Sequence, residues 1–426
     1  MPPQPHAPSW YAATASQSPL RPPLQGDSKV DVVVVGAGFT GCHAALELAE
    51  RGYKVAVLEA ERVGWGASGR NGGQICTGFS KGQGSIEKAV GLADAKQLFA
   101  LAEEAKALLE RRIQQHGIAC DLKWGYLYAA FKDRQMADLR HEAEAMARDY
   151  GYGALRMVEK DEVRQHVDSE AYIGGLYDAR SGQLHPLNYA LGMAAAAEAA
   201  GAAIHENSRV TRLVPGKTVR AETAQGTVSA DFAVVACNAY LDELLPKVRR
   251  TIMPVATYIT ATEVLGASRA RALIPGDIAV GDANFVLNYF RRSTDHRLLF
   301  GGGVSYTAAM PASLPAKMRA MMLGIFPQLA DVRQDFTWGG NVAITQDRTP
   351  DFGRVAPNVF YAQGFSGQGV ALTAIAGKTM AEAIAGQAER FDLFAKLPHR
   401  PFPGGKLLRA PTLALAMTWF RVRDWL

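Results

Sequence analysis

Apolar residues along this chain run in two rhythms, and their alternation lays out the fold. Positions 32–35 are four consecutive valines, an unbroken β-branched run of the kind buried inside a parallel sheet. Glycines follow at 36, 38 and 41, and residues 39–51 are rich in Ala, Leu and Glu with no proline, which predicts a helix closed by Gly52. Residues 55–58 predict a second buried strand, ending at Glu59. The spacing of Ile86, Val90, Leu98, Leu101 and Leu108 predicts a helix over 85–116, and further helices are predicted at 132–150, 161–167, 187–200 and 315–326. Strands are predicted over 118–131, with a turn at the glycine, and at 171–177, 203–205 and 233–236. A hairpin is predicted over 219–228 around Gln225 and Gly226. Alternating segments at 253–264, 284–290 and 297–300 predict antiparallel strands, and 359–369 repeats the sequence strand, glycine turn, helix.

This order predicts an α/β (α+β) fold. A discontinuous Rossmann-like dinucleotide-binding domain takes 29–85, 151–245 and 337–395, with an inserted antiparallel-sheet substrate domain from 86–150 and 246–336. Residues 1–28, rich in Pro, Ser, Ala and Gln, read as a loosely ordered extended arm unless Trp10 and Tyr11 anchor it. Residues 396–426 read as a tail with an amphipathic helix at 412–426, expected to pack on the body ahead of a dimer or membrane contact.

The first strand–turn–helix–strand unit carries chemistry. Gly36 permits the tight turn, Gly38 lets backbone approach a pyrophosphate, and Gly41 lets helix and strand pack closely. With Ala37, Phe39 and Thr40 they build a helix N-terminus that offers N–H groups and a positive dipole end to phosphates. Glu59, eighteen positions after Gly41 and followed by Ala60, sits where an acid binds ribose hydroxyls and disfavours a 2′-phosphate.

Composition narrows the classes. The net charge of +5 over 426 residues, with no block of like charges, argues against a nucleic-acid protein. Four cysteines show no C-x-x-C pair and no metal-ligand spacing, so no metal is expected and a reducing, cytoplasmic setting fits. No stretch is apolar and long enough to span a bilayer, and the first residues lack the pattern of a secretory signal.

Residues 60–84 hold eight glycines, too many for an idle loop in a compact domain. Gly66, Gly69, Gly72 and Gly73 clear side chains from a surface where something flat must lie, while Asn71 and Gln74 offer amides to a polar ring edge. The run GASGRNGGQ, placed directly after a dinucleotide-binding unit, resembles FAD-dependent oxidoreductases of the D-amino-acid oxidase family. That resemblance implies FAD, with Gly66, Ala67, Ser68, Arg70, Asn71, Gly72, Gly73 and Gln74 passing its pyrophosphate and reaching its ring. Arg70 either neutralises phosphate or fixes its loop. The resemblance also assigns Gly364, Phe365, Ser366, Gly367, Gln368 and Gly369 to the flavin N1–C2=O locus, and backbone contacts to adenine to Val210, in a strand, and Ala236. Many relatives have His where this chain has Gln368, which cannot add positive charge. No Cys lies in 344–349, where several members tether the flavin, so FAD is expected to be non-covalent.

SWYAATA, GWGASGRNGGQI, YFRRSTDHRLLFGGG, TPDFGR and GFSGQGVALT carry the resemblance along nearly the whole chain, nearest to the gamma-glutamylputrescine oxidoreductases and their relatives. It implies oxidation of a small amine by hydride transfer to flavin N5, hydrolysis of the imine to an aldehyde, and reoxidation by O2 to hydrogen peroxide. Electron transfer to a quinone or another carrier is the alternative, and a flavin-binding partner protein without turnover is the alternative of another class. No obligatory catalytic side chain is legible. Candidates for the substrate pocket are Tyr289, Arg291, as a carboxylate anchor or a surface arginine, and His185, at the pocket border or structural at its turn.

Overall fold

The computed structural model describes residues 5–284, 287–305 and 311–403. Two sheets organise them. In the first, of eight strands, Val359–Gln363, Thr227–Val235, Ser28–Val35, Val55–Leu58 and Ala203–His205 lie side by side and parallel. Val32–Val35 sits at its centre, paired on one side with Phe232–Val235 and on the other with Val55–Leu58, so its valines are buried on both faces. The helix Phe39–Glu50 covers this sheet and packs backbone to backbone on the helix Gly369–Ile384, where a side chain at Gly377 would come within 2.6 Å of the Ala44 amide.

The second sheet has nine strands and is mainly antiparallel, with Ala279–Asp282 parallel to Lys123–Ala130 as the exception. The predicted strands at 253–264 and 297–300 are its Ile252–Thr262 and Leu298–Ser305. Its membership differs from the predicted boundaries. Leu155–Val158 and Gly174–Gln183 belong here, not to a nucleotide segment 151–245, and Gln334–Thr345 pairs along the full length of Ile252–Thr262 instead of opening a segment at 337. Gly125 makes no turn. It sits at a register shift inside one continuous strand, Lys123–Ala130, with φ of 114°. The predicted helix at 161–167 is a single 3₁₀ turn, Val163–Gln165.

The N-terminal arm is not loose. Ser9 caps the short helix Trp10–Ala13, Trp10 and Tyr11 are fully buried, and Trp10 Nε1 donates to Asp295 in the turn between the second-sheet strands Tyr289–Arg292 and Leu298–Ser305. Farther along, Arg21 forms a bidentate pair with Glu198 at 2.7 Å, and the Leu24 amide donates to Ser208 on the first sheet's side. The arm thus laces both sheets. The predicted helix at 412–426 lies outside the described residues.

Candidate active site

The two sheets enclose a cavity of about 730 Å³ against the carboxyl ends of the parallel strands, the expected ligand position in such a sheet. One wall is the glycine turn. Gly36, with φ of 101°, and Gly38 face the cavity, while Gly41 sits behind them and its hydrogen stands where a Cβ would lie 1.9 Å from Gly36 O. Phe39, Thr40, Ala60, Val210 and Ala236 also line the space, although Val210 is in a connecting segment and not in a strand. Ala37 faces away, but its amide donates to Glu59 Oε2 at 2.7 Å. The other Glu59 oxygen accepts from the Glu61 amide at 2.9 Å, and burial raises the carboxyl's pKa.

The loop after Glu59 is held by its own side chains. Ser68 Oγ accepts from the Phe39 amide at 2.9 Å, which docks the loop on the helix N-terminus. Arg70 donates twice to Trp65 O, stacks 4.5 Å over the Trp65 ring and reaches Gly339 O. It fixes the loop, and its guanidinium is committed to carbonyls. Asn71 donates to Ala67 O and Ser68 O and accepts from the Gly73 amide, so its amide braces the loop and does not serve a ring edge. Gln74 is likewise engaged, donating to Val280 O at 3.1 Å. Gly66, Ala67 and Gly72 line the cavity. Gly73 does not; it presses on Leu184 O.

Opposite stands the second turn. Phe365, Ser366, Gly367, Gln368 and Gly369 line the cavity, while Gly364 backs onto Thr345. Ser366 holds a left-handed φ of 53°, a costly conformation for a non-glycine residue, pinned by its amide on Ala343 O and its hydroxyl on Gly364 O. Gln368 Oε1 is buried with no partner among the described residues, so a donor from a ligand would satisfy it. Glycine turns that clear the floor, an acid at a strand end and an orphaned amide oxygen together fit FAD.

Two predicted pocket residues are elsewhere. Arg291, 4% exposed, points behind the loop and donates to Gly72 O, Leu184 O and the Tyr11 hydroxyl. It neither anchors a carboxylate nor reaches the surface. His185 caps the helix Pro186–Ala199 through Nδ1, and Trp10 and Tyr11 pack on its ring; burial lowers its pKa to about 3, so it is a neutral structural imidazole. Tyr289 does line the cavity, joined by residues the pattern did not single out: Tyr126 and Tyr128 from Lys123–Ala130, Tyr240, and Asp282. The signal for the first two was the Tyr-x-Tyr alternation, which places both on one face of a strand. Burial raises the pKa of Tyr126, Tyr128 and Tyr289, which keeps their hydroxyls protonated, while the Asp282 carboxyl beside them accepts from Asn288 Nδ2 at 2.7 Å.

Cys76 and Cys237 also border the cavity, and burial pushes these thiols, like Cys42 and Cys120, up to about 12. At pH 8 the thiolate is then about one part in ten thousand. Iodoacetamide should leave all four unmodified in the folded protein and alkylate them after denaturation, as read by intact-mass spectrometry. Labelling of native Cys76 would contradict that.

A glycine-floored cavity between a dinucleotide-type parallel sheet and a tyrosine wall defines the class: a flavin-dependent oxidoreductase. The chain belongs to the family described as FAD dependent oxidoreductase (DAO), whose model matches residues 31–383. It is 42% identical to gamma-glutamylputrescine oxidoreductase of Escherichia coli over 98% of both chains, and 40% identical to a probable oxidoreductase, OrdL, of Haemophilus influenzae over 99% of this chain and 98% of that one. Among solved structures, glycine oxidase from Geobacillus kaustophilus superposes with a TM-score of 0.73 at 23% identity, covering 87% of this chain and 98% of the other. That likeness speaks to the fold. Among the described residues no helix is long and apolar enough to cross a membrane.

Proposed function

We propose that this enzyme oxidises the C–H beside nitrogen in a small amine, gamma-glutamylputrescine or a close relative, with O2 as the final electron acceptor, released as hydrogen peroxide. The observation that carries the reading is the wall of Tyr126, Tyr128 and Tyr289 across from the glycine turns, in a chain alike from end to end to a gamma-glutamylputrescine oxidoreductase. Bound non-covalently along Gly36, Gly38, Glu59 and the 66–74 loop, FAD supplies the hydride acceptor. The protein's own residues do the rest. An alkylammonium with a pKa near ~10.4 must shed a proton to react; burial among the tyrosine rings disfavours the cation and so helps that loss, while Asp282 on the same wall attracts the cation as it enters. The three tyrosines border the substrate's chain, so positioning and desolvation stand in for a dedicated base.

The test is anaerobic bleaching of the flavin absorbance with gamma-glutamylputrescine, putrescine, sarcosine and D-amino acids, followed by peroxide measurement in air. Bleaching is expected fastest with gamma-glutamylputrescine, with one peroxide formed per amine consumed. Bleaching without stoichiometric peroxide would move the electrons to another carrier, and no bleaching by any amine would end the reading.

A further inference from the structure

The loop after Glu59 shuts one edge of the cavity. Trp65 and Gly66 line that edge, and so does Tyr240 from the 3₁₀ turn Asn238–Tyr240. The Trp65 and Tyr240 rings meet edge to face at 5.6 Å, and a Cβ on Gly66 would stand 3.0 Å from the Tyr240 ring. At the loop's other end a Cβ on Gly72 would stand 2.7 Å from the Tyr289 ring. Loop and aromatic rings are in contact at both ends.

The N-terminal arm holds the same loop twice, and the two grips differ in kind. At the far end Tyr11, fully buried, packs on the Trp338 ring at 5.3 Å, and Trp338 Nε1 donates to Arg70 O at 3.1 Å. The Tyr11 hydroxyl also accepts from Arg291, whose Nε holds Gly72 O. That grip is interior and built of several contacts. At the near end Trp65 Nε1 donates to the carbonyl of the exposed Pro5 at 3.1 Å. One neutral hydrogen bond at the surface is easily broken and remade.

We infer that residues 5–9 are a clasp on the cofactor cavity. The Pro5–Trp65 bond is its catch, the buried Tyr11 end is its fixed side, and the dinucleotide enters or leaves when Trp65 lets go of Pro5 and parts from Tyr240. The inference rests on the reading that FAD is bound non-covalently, and it adds what sets the pace of the cofactor's entry and exit. Because the catch is closed in the empty and the filled cavity alike, it stabilises both against the open form. Removing it raises the open fraction in both directions and leaves the affinity in place.

The experiment deletes residues 2–8 from the full chain, which keeps the Ser9 cap, Trp10 and Tyr11. Release of FAD from the holoenzyme is followed by the rise of flavin fluorescence on dilution, and uptake by its quenching when FAD is added back to the apoprotein. Both rates should rise about fivefold, the factor one net hydrogen bond carries, with the dissociation constant unchanged within twofold. Trp65→Phe keeps a ring against Tyr240 and Arg70 but removes the donor, and it should reproduce both accelerations. Deletion and substitution together should do no more than either alone, because they break the same bond. Faster release with slower uptake would mark a merely structural arm and overturn the clasp, as would unchanged rates or effects of the two variants that multiply. Flavin that stays on the acid-precipitated chain would overturn the non-covalent reading itself and the clasp with it, since a tethered cofactor has no exit to gate.

Discussion

Gly41→Ala should yield a protein purified largely without flavin. A Cβ at this position would lie 1.9 Å from Gly36 O and 3.0 Å from Gly36 C. Both are backbone atoms, so no side chain can swing aside, and the helix Phe39–Glu50 must lift from the strand Ser28–Val35. Overpacking of this kind costs about 1–3 kcal/mol. The strain falls on the turn whose Gly36 and Gly38 line the cavity, so the same energy taken from cofactor affinity weakens FAD binding about ten- to a hundredfold. Flavin-to-protein absorbance ratio and thermal unfolding with and without added FAD check it. Gly84→Ala is the control, because a Cβ there meets nothing within 4 Å and it should keep its flavin. A yellow, stoichiometric Gly41→Ala protein would show that the helix yields without disturbing the turn.

What the residue pattern revealed of the fold divides along a physical line. Elements set by local rules stand where predicted: the valine strand, the helix Asp133–Tyr150, the strand Val55–Leu58 and the turn before the helix Gly369–Ile384. Periodicity and glycine placement act within a few residues. The partner of a strand is set from afar, and here the pattern was silent. Nothing within Gln334–Thr345 says that it pairs with Ile252–Thr262 across about eighty residues instead of joining the parallel sheet. The arm failed for another reason: Pro- and Ser-rich composition suggests disorder, yet Trp10 and Tyr11 bury enough ring surface to pin it.

The site divides in the same way. Glycines that must be glycine are visible as letters, whereas the direction of a polar side chain is not. Asn71 and Arg70 stand in the predicted loop, but their amide and guanidinium turn back onto loop carbonyls instead of toward a ligand. A loop with seven or more glycines loses much entropy on ordering, and these internal bonds offset that cost. Side-chain chemistry there goes into shape, which leaves the backbone as the face presented to the cofactor.

Arg291 extends this logic and carries the second large effect. Its guanidinium donates to Gly72 O at 3.0 Å, Leu184 O at 3.1 Å and the Tyr11 hydroxyl at 3.2 Å, tying the glycine loop, the segment before the helix Pro186–Ala199 and the N-terminal arm to the strand Tyr289–Arg292. Arg291→Leu leaves these buried acceptors unpaired, and each costs about 1–3 kcal/mol, so a loss of about 3 kcal/mol or more is expected. Lysine should not rescue it, because a single ammonium cannot reproduce the fork that spans three segments. The loss appears as a lower Tm, weaker flavin retention and a fall in kcat/KM of equal size for amines with and without a carboxylate. Equality is the discriminating result. A residue that held the substrate's carboxylate would raise KM for carboxylate-bearing amines alone and leave Tm in place, and that outcome would return Arg291 to the pocket.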